Sequence, residues 1–73
     1  METQELGELA RAAISALGRR GDQPAFLELL TMSGHVGECL GEAARHLAAT
    51  GSWTAVADLS GTSKQAAWSR WHA

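Results

Sequence analysis

The stretch from Ser52 to Trp71, SWTAVADLSGTSKQAAWSRW, constrains this chain more than any other. Two short segments with apolar residues at helical spacing flank the run Ser60-Gly61-Thr62-Ser63. Ser52 is placed to cap the first segment, because a serine hydroxyl accepts a hydrogen bond from the free amides of a first helical turn. Ser63 is placed to cap the second in the same way, and Gly61 supplies the positive φ that a tight turn between helices needs. Trp53, Val56, Ala57 and Ser60 share a face of the first segment, and Ala67 and Trp71 of the second point toward it. The small side chains of Ala57 and Ala67 let two such helices cross closely. Gln65, Ser69 and His72 lie on the opposite face, with Lys64 and Trp68 at its margins.

Seventy-three residues suffice for one domain. A chain of this size buries only about 60% of its unfolded surface, so its own core is marginal. One cysteine, Cys39, rules out an internal disulfide and leaves oligomerisation as the obvious further support. The start Met1-Glu2-Thr3-Gln4-Glu5 is acidic and polar, unlike a signal peptide. With the lone cysteine, it sets the expectation of a reducing cytoplasm. No apolar run approaches the roughly 20 residues that span a bilayer, so no membrane partner is expected.

Reading in order, Leu6, Leu9, Ala10, Ala13, Ile14 and Leu17 form one apolar stripe and predict a first helix over residues 3–18. Thr3 is its expected cap, and Gly18-Arg19-Arg20-Gly21 its end. Asp22 is the expected cap of a second, long helix, with Pro24 in its first turn. That helix runs to about Ala49 through Gly34, Gly37 and Gly41; a break near Ser33-Gly34 is the alternative. One register places Phe26, Leu29, Ser33, Val36, Leu40, Ala43 and Leu47 on one face. The neighbouring register holds Leu30, Gly34, Gly37, Gly41, Ala44 and Ala48. A glycine inside a helix costs about 0.5–1 kcal/mol relative to alanine, and close approach of another helix is a reason to accept three. A homodimer through Phe26, Leu30, Gly34, Gly37, Leu40 and Gly41 follows, since an isologous contact lets one stripe serve both partners. The fold class is therefore all-α. Two longer helices pack antiparallel over residues 1–50, the dimerisation segment, and a short helix pair follows over residues 51–73.

Short capped helices joined by a glycine turn have the layout of a helix-turn-helix, whose second helix enters the major groove of DNA. The run Trp53–Trp71 resembles the helix-turn-helix of small bacterial, actinobacterial-type transcription regulators. Their signature reads Ser-Trp-x-x-Ile-Ala, a short spacer, then Gly-Val-Ser-Arg-Gln-Ala-Ala-Trp-x-Arg-Trp. Gly61, Ser63, Gln65, Ala66, Ala67, Trp68, Arg70 and Trp71 agree, and Lys64 keeps the charge. Ser60 and Thr62 depart, standing where that pattern has apolar residues. The resemblance covers about a quarter of the chain. It implies a cytoplasmic regulator that binds double-stranded DNA in a sequence-specific way, without a cofactor.

On that reading Gln65 is the base reader, since its amide makes a bidentate contact to adenine. Ser63 and Lys64, at the helix N-terminus, suit phosphate oxygens. Ser69 extends the contact surface, and Arg70 either contacts a phosphate or stays solvated. Trp68 sits at an intermediate angle: burial against the long helix is its first reading, packing on a sugar or a thymine methyl its second. Trp53 and Trp71 are expected in the core. Charge supports the reading only in its distribution. The chain carries −2 overall; residues 1–50 hold four basic and seven acidic side chains, and residues 51–73 two basic and one acidic. Phosphate contacts supply most nonspecific DNA affinity, so two copies on one duplex are expected rather than one. The acidic first part also suits another class, an adaptor that binds a second regulatory protein.

His35, Cys39, Glu42 and His46 fall on one stripe of the long helix at steps of four, three and four. Imidazole, thiolate and carboxylate are ligands for zinc and other transition metals. The stripe lies away from the leucine register, beside Glu28 and Glu38, so a solvated polar face accounts for it and no metal is assigned. Cys39 has His35 one turn away but no orienting group or oxyanion site, and the glycines punctuate a helical pattern rather than a phosphate loop. Catalysis is not expected.

Overall fold

The computed structural model describes residues 1–73 and consists of four α-helices with no strand: α1 (Thr3–Arg20), α2 (Gln23–Thr50), α3 (Trp53–Ser60) and α4 (Lys64–Trp71). The chain divides into two compact units, Met1–Gly34 and His35–Ala73. No helix is long and apolar enough to cross a membrane.

In the first unit, α1 starts one residue earlier than its expected cap allows. Glu2 occupies the cap position with extended backbone and no side-chain cap bond, and Thr3 is already helical. The helix runs on to Arg20, past Gly18, and ends where Gly21 takes a left-handed conformation at φ 65°. Arg19 and Arg20 in the last turn face the negative end of the helix dipole, which favours them there. Asp22 caps α2 as its position predicts: its Oδ1 accepts from the Ala25 amide at 2.9 Å. No residue of α1 is buried, and Leu6, Leu9 and Ile14 are all exposed. The stripe read from Leu6 to Leu17 thus exists on the helix without being covered. Ala25 is the buried hydrophobic residue of this unit. A cleft of ≈ 290 Å³ at the connection is lined by Leu17, Gly21, Phe26 and Leu29 among others.

The long second helix is a single element. It passes through Ser33, Gly34, Gly37 and Gly41 without a break.

The second unit has a contiguous core of Ala44 from α2, Val56 and Ala57 from α3, and Ala67 and Trp71 from α4, with Ala48 and Trp53 partly buried against it. Three of its five buried members are alanines, of which Ala57 and Ala67 let the backbones of α3 and α4 approach closely, and much of the volume is filled by one indole. An aromatic side chain buries roughly 150–250 Å². At about 25 cal/mol per Å² this is on the order of 4–6 kcal/mol for Trp71, more than any other residue here. Ala67 is completely inaccessible, which leaves no room at that position for a larger side chain.

The link between α3 and α4 is built by local hydrogen bonds. Ser52 Oγ accepts from the Ala55 amide and Ser63 Oγ from the Ala66 amide, each at 3.1 Å, as predicted for both serines. Gly61 sits at φ 69°, where its own amide and that of Thr62 both reach the Ala57 carbonyl. This pairing satisfies a carbonyl oxygen that a helix end otherwise leaves free. Ser60 takes part as well: its hydroxyl donates to the Val56 carbonyl at 2.8 Å and lies 3.3 Å from that of Ala57. A serine next to the turn glycine is therefore accounted for by bonding back to its own helix.

Candidate functional site

The candidate site is the outer surface of α4, and the sides of that helix are sorted by its packing. Ala67 and Trp71, four residues apart and so on one side, face the core. Lys64, Gln65, Trp68, Ser69 and Arg70 are all exposed, as is the cap Ser63. Five of the six residues predicted for this surface lie on one short helix, and the sixth, Ser63, is its cap. None of them turns inward.

Trp68 departs from its first reading. It is 48% exposed and does not join the core. Its ring is stacked instead on His72, with centroids 4.0 Å apart and planes within 9°. His72 Nδ1 lies 2.7 Å from the Trp68 carbonyl oxygen. A carbonyl only accepts, so Nδ1 carries the proton in this contact and the imidazole is held against the indole. The physical reason for the correction is spacing. With Ala67 and Trp71 turned to the core, Trp68 is displaced by about 100° around the helix from Ala67 and points past the core. Arg70 lies over the Trp71 ring, its Cζ 4.9 Å from the centroid, within the range of a cation–π contact. Its guanidinium thus stays at the margin of the exposed surface.

Two contributors to this region were not singled out from the sequence. Ser60, read as a departure from an apolar pattern, is a hydrogen-bonding part of the turn. Arg45 on α2 donates to the carbonyls of Trp71 and Ala73. These partners are 26 and 28 positions away, and nothing in local spacing announces such a contact.

The stripe His35, Cys39, Glu42 and His46 does not converge. Cys39 Sγ and His35 Nε2 are 3.5 Å apart on the exposed face, and the pair stands alone. No group of three or more histidine, cysteine, aspartate or glutamate side chains is arranged to hold a metal ion.

The residues expected at a dimer contact have varied surroundings. In the first unit Phe26 and Leu30 are exposed, and Gly34 has open space where a Cβ would be. In the second, Leu40 is half-exposed and Gly37 is open, whereas Gly41 is buried against the Trp71 indole and the Arg45 guanidinium of the same chain. Leu40 also lines an apolar groove of ≈ 290 Å³ with Leu47, Val56, Leu59 and Trp71.

No family model, curated protein or solved structure matches the chain.

Proposed function

We propose that the chain is a small sequence-specific DNA-binding regulator of the helix-turn-helix kind, in which α3 supports and α4 enters the major groove of double-stranded DNA. The observation that carries this reading is the polar, exposed side of α4. Gln65 and Ser69 project from a helix whose opposite side is fixed in a core with α3, and Lys64 and Arg70 are exposed at the margins. A reading helix needs both properties: a packed side that sets its orientation, and a free side with side-chain amides and cations. The resemblance of Trp53–Trp71 to bacterial regulators supports the same assignment.

Gln65, in the first turn of α4, reads a base edge; Ser63 and Lys64 hold phosphate oxygens; Trp68, Ser69 and Arg70 extend the contact. Two cations on this helix give one copy little phosphate affinity. The active form is therefore a homodimer, with α1 and the apolar side of α2 supplying the contact between copies. Two-fold copies read half-sites about 34 Å apart, or a multiple of it.

Selection of bound duplexes from random sequence tests the proposal. The expected result is an enriched motif whose binding weakens as salt rises. Gln65→Ala then relaxes base preference at one position, at about 1–3 kcal/mol of discrimination. Lys64→Ala weakens binding to all duplexes and makes the salt slope shallower by about one. Absence of any salt-dependent duplex binding would sink the reading. It would favour the second one, an adaptor whose acidic residues 1–50 bind another regulatory protein, which the excess of seven acidic over four basic side chains there supports.

A further inference from the structure

Arg45 reaches from α2 to the last turn of α4 and to the residues just beyond it. Its Nη1 lies 3.1 Å from the carbonyl oxygen of Trp71 and 3.1 Å from that of Ala73. One guanidinium nitrogen carries two N–H groups, so both carbonyls are served by a single atom. The last four carbonyls of any helix lack partners within it, and a cation there complements the helix dipole. For an eight-residue helix this end is half of the element. Arg45 is the residue of another helix whose side chain hydrogen-bonds to it.

Gly41, one turn earlier on α2, completes the contact. A Cβ built there would lie 3.2 Å from Arg45 Nη1 and 3.7 Å from Trp71 Cδ1. The missing side chain lets the guanidinium lie along the helix and lets the indole close down beside it. Glycine inside a helix is unfavourable by about 0.5–1 kcal/mol relative to alanine, and here the space it leaves is occupied.

We propose that Gly41 and Arg45 form a clasp that fixes the direction in which α4 projects from its core, with Arg45 a positioning residue rather than a DNA contact. The consequence for base reading rests on the DNA assignment above; the clasp itself does not. Arg45 acts through Trp71 and the C-terminal carbonyls. Its loss changes how Gln65 is aimed, not how many cations meet phosphate.

The test uses the full chain with Arg45→Gln, Arg45→Lys and Gly41→Leu. Amide hydrogen exchange is read first, without DNA. The amides of Trp71 and His72 should exchange about tenfold faster in Arg45→Gln, the scale set by losing a charge-assisted hydrogen bond. Those of α1 should not change. Arg45→Lys should recover part of the protection, since an ammonium still donates to carbonyls. Gly41→Leu should give the same local pattern by displacing the indole. Affinity is read second, on a selected and a scrambled duplex. Arg45→Gln should lower the ratio of the two by about tenfold and leave scrambled-duplex binding at its parent value. Unchanged exchange at Trp71 and His72 in both Arg45→Gln and Gly41→Leu would overturn the clasp. An equal drop on both duplexes would overturn the positioning role, making Arg45 a phosphate contact. If the parent binds no duplex, exchange alone decides the clasp and the failure belongs to the DNA reading.

Discussion

Residues 1–34 and 35–73 are both helical, yet they differ in what the helices accomplish. The first unit has the stronger amphipathic pattern, with six apolar residues of α1 on one stripe, and it buries a single alanine. The second has two helices of only eight residues each and a glycine-containing stretch of α2, and it holds a contiguous core. An apolar stripe records that a helix has something to bury. It does not supply a partner. What distinguishes the second unit is small side chains where the backbones of α3 and α4 meet, at Ala57 and Ala67, with a large indole and Ala44 of α2 in the same cluster. Close packing comes from this complementarity of sizes, because dispersion contacts vanish quickly with distance.

The sharpest way to break the contrast is to remove that indole. Trp71→Ala should cost the second unit about 3–5 kcal/mol, which for a unit this small abolishes its cooperative unfolding. Amide exchange should show protection lost throughout α3 and α4 while α1 is unaffected. A loss below about 1 kcal/mol would mean that the core of the second unit is held by something other than Trp71.

The same division separates what the sequence makes legible from what it does not. Local features were read from the sequence because their causes are local. The caps at Ser52, Ser63 and Asp22, the left-handed Gly61 and the inward side of Ala67 and Trp71 each depend on residues within one turn. The start of α1 at Thr3 matches its expected range, whereas its cap is Glu2 and its end lies past Gly18, at Arg20. Thr3 competes for the cap with a residue just before it, and Arg19 and Arg20 continue a helix that Gly18 only weakens. Helical angle alone does not place Trp68, because its contact with His72 depends on a side chain four positions on that belongs to the polar face. Nothing in the sequence announces the role of Arg45, since its partners lie 26 and 28 residues away. On α4, the sorting of buried from exposed positions is legible in the sequence, and the contact from Arg45 to its last turn is not.

A smaller effect sharpens the comparison at the turn. Ser63→Ala removes the acceptor for the Ala66 amide and should cost about 1 kcal/mol. The loss should appear as faster exchange in the first turn of α4, with the Trp71 end keeping most of its protection. Equal fraying along the whole helix would show that its two ends are not held independently, by Ser63 at one and by Arg45 at the other.

The smallest expected effect lies in the first unit, and it tests the contrast from the opposite side. Leu9 is 58% exposed on the uncovered stripe of α1. Replacing it with lysine removes no buried contact in the single chain, and exposed substitutions of this kind stay within about 0.5 kcal/mol. Lysine is also a good helix former, so helix propensity changes little. Leu9→Lys should therefore leave the helical signal and the unfolding midpoint of dilute protein unchanged. The informative measurement is the same comparison at rising concentration. A second copy that covers the stripe stabilises the folded chain by mass action, and lysine at position 9 would remove that increment. A difference that grows with concentration places α1 in the contact between copies. A difference already present in dilute protein would mean that the stripe is covered within one chain, and the contrast between the two units would fail.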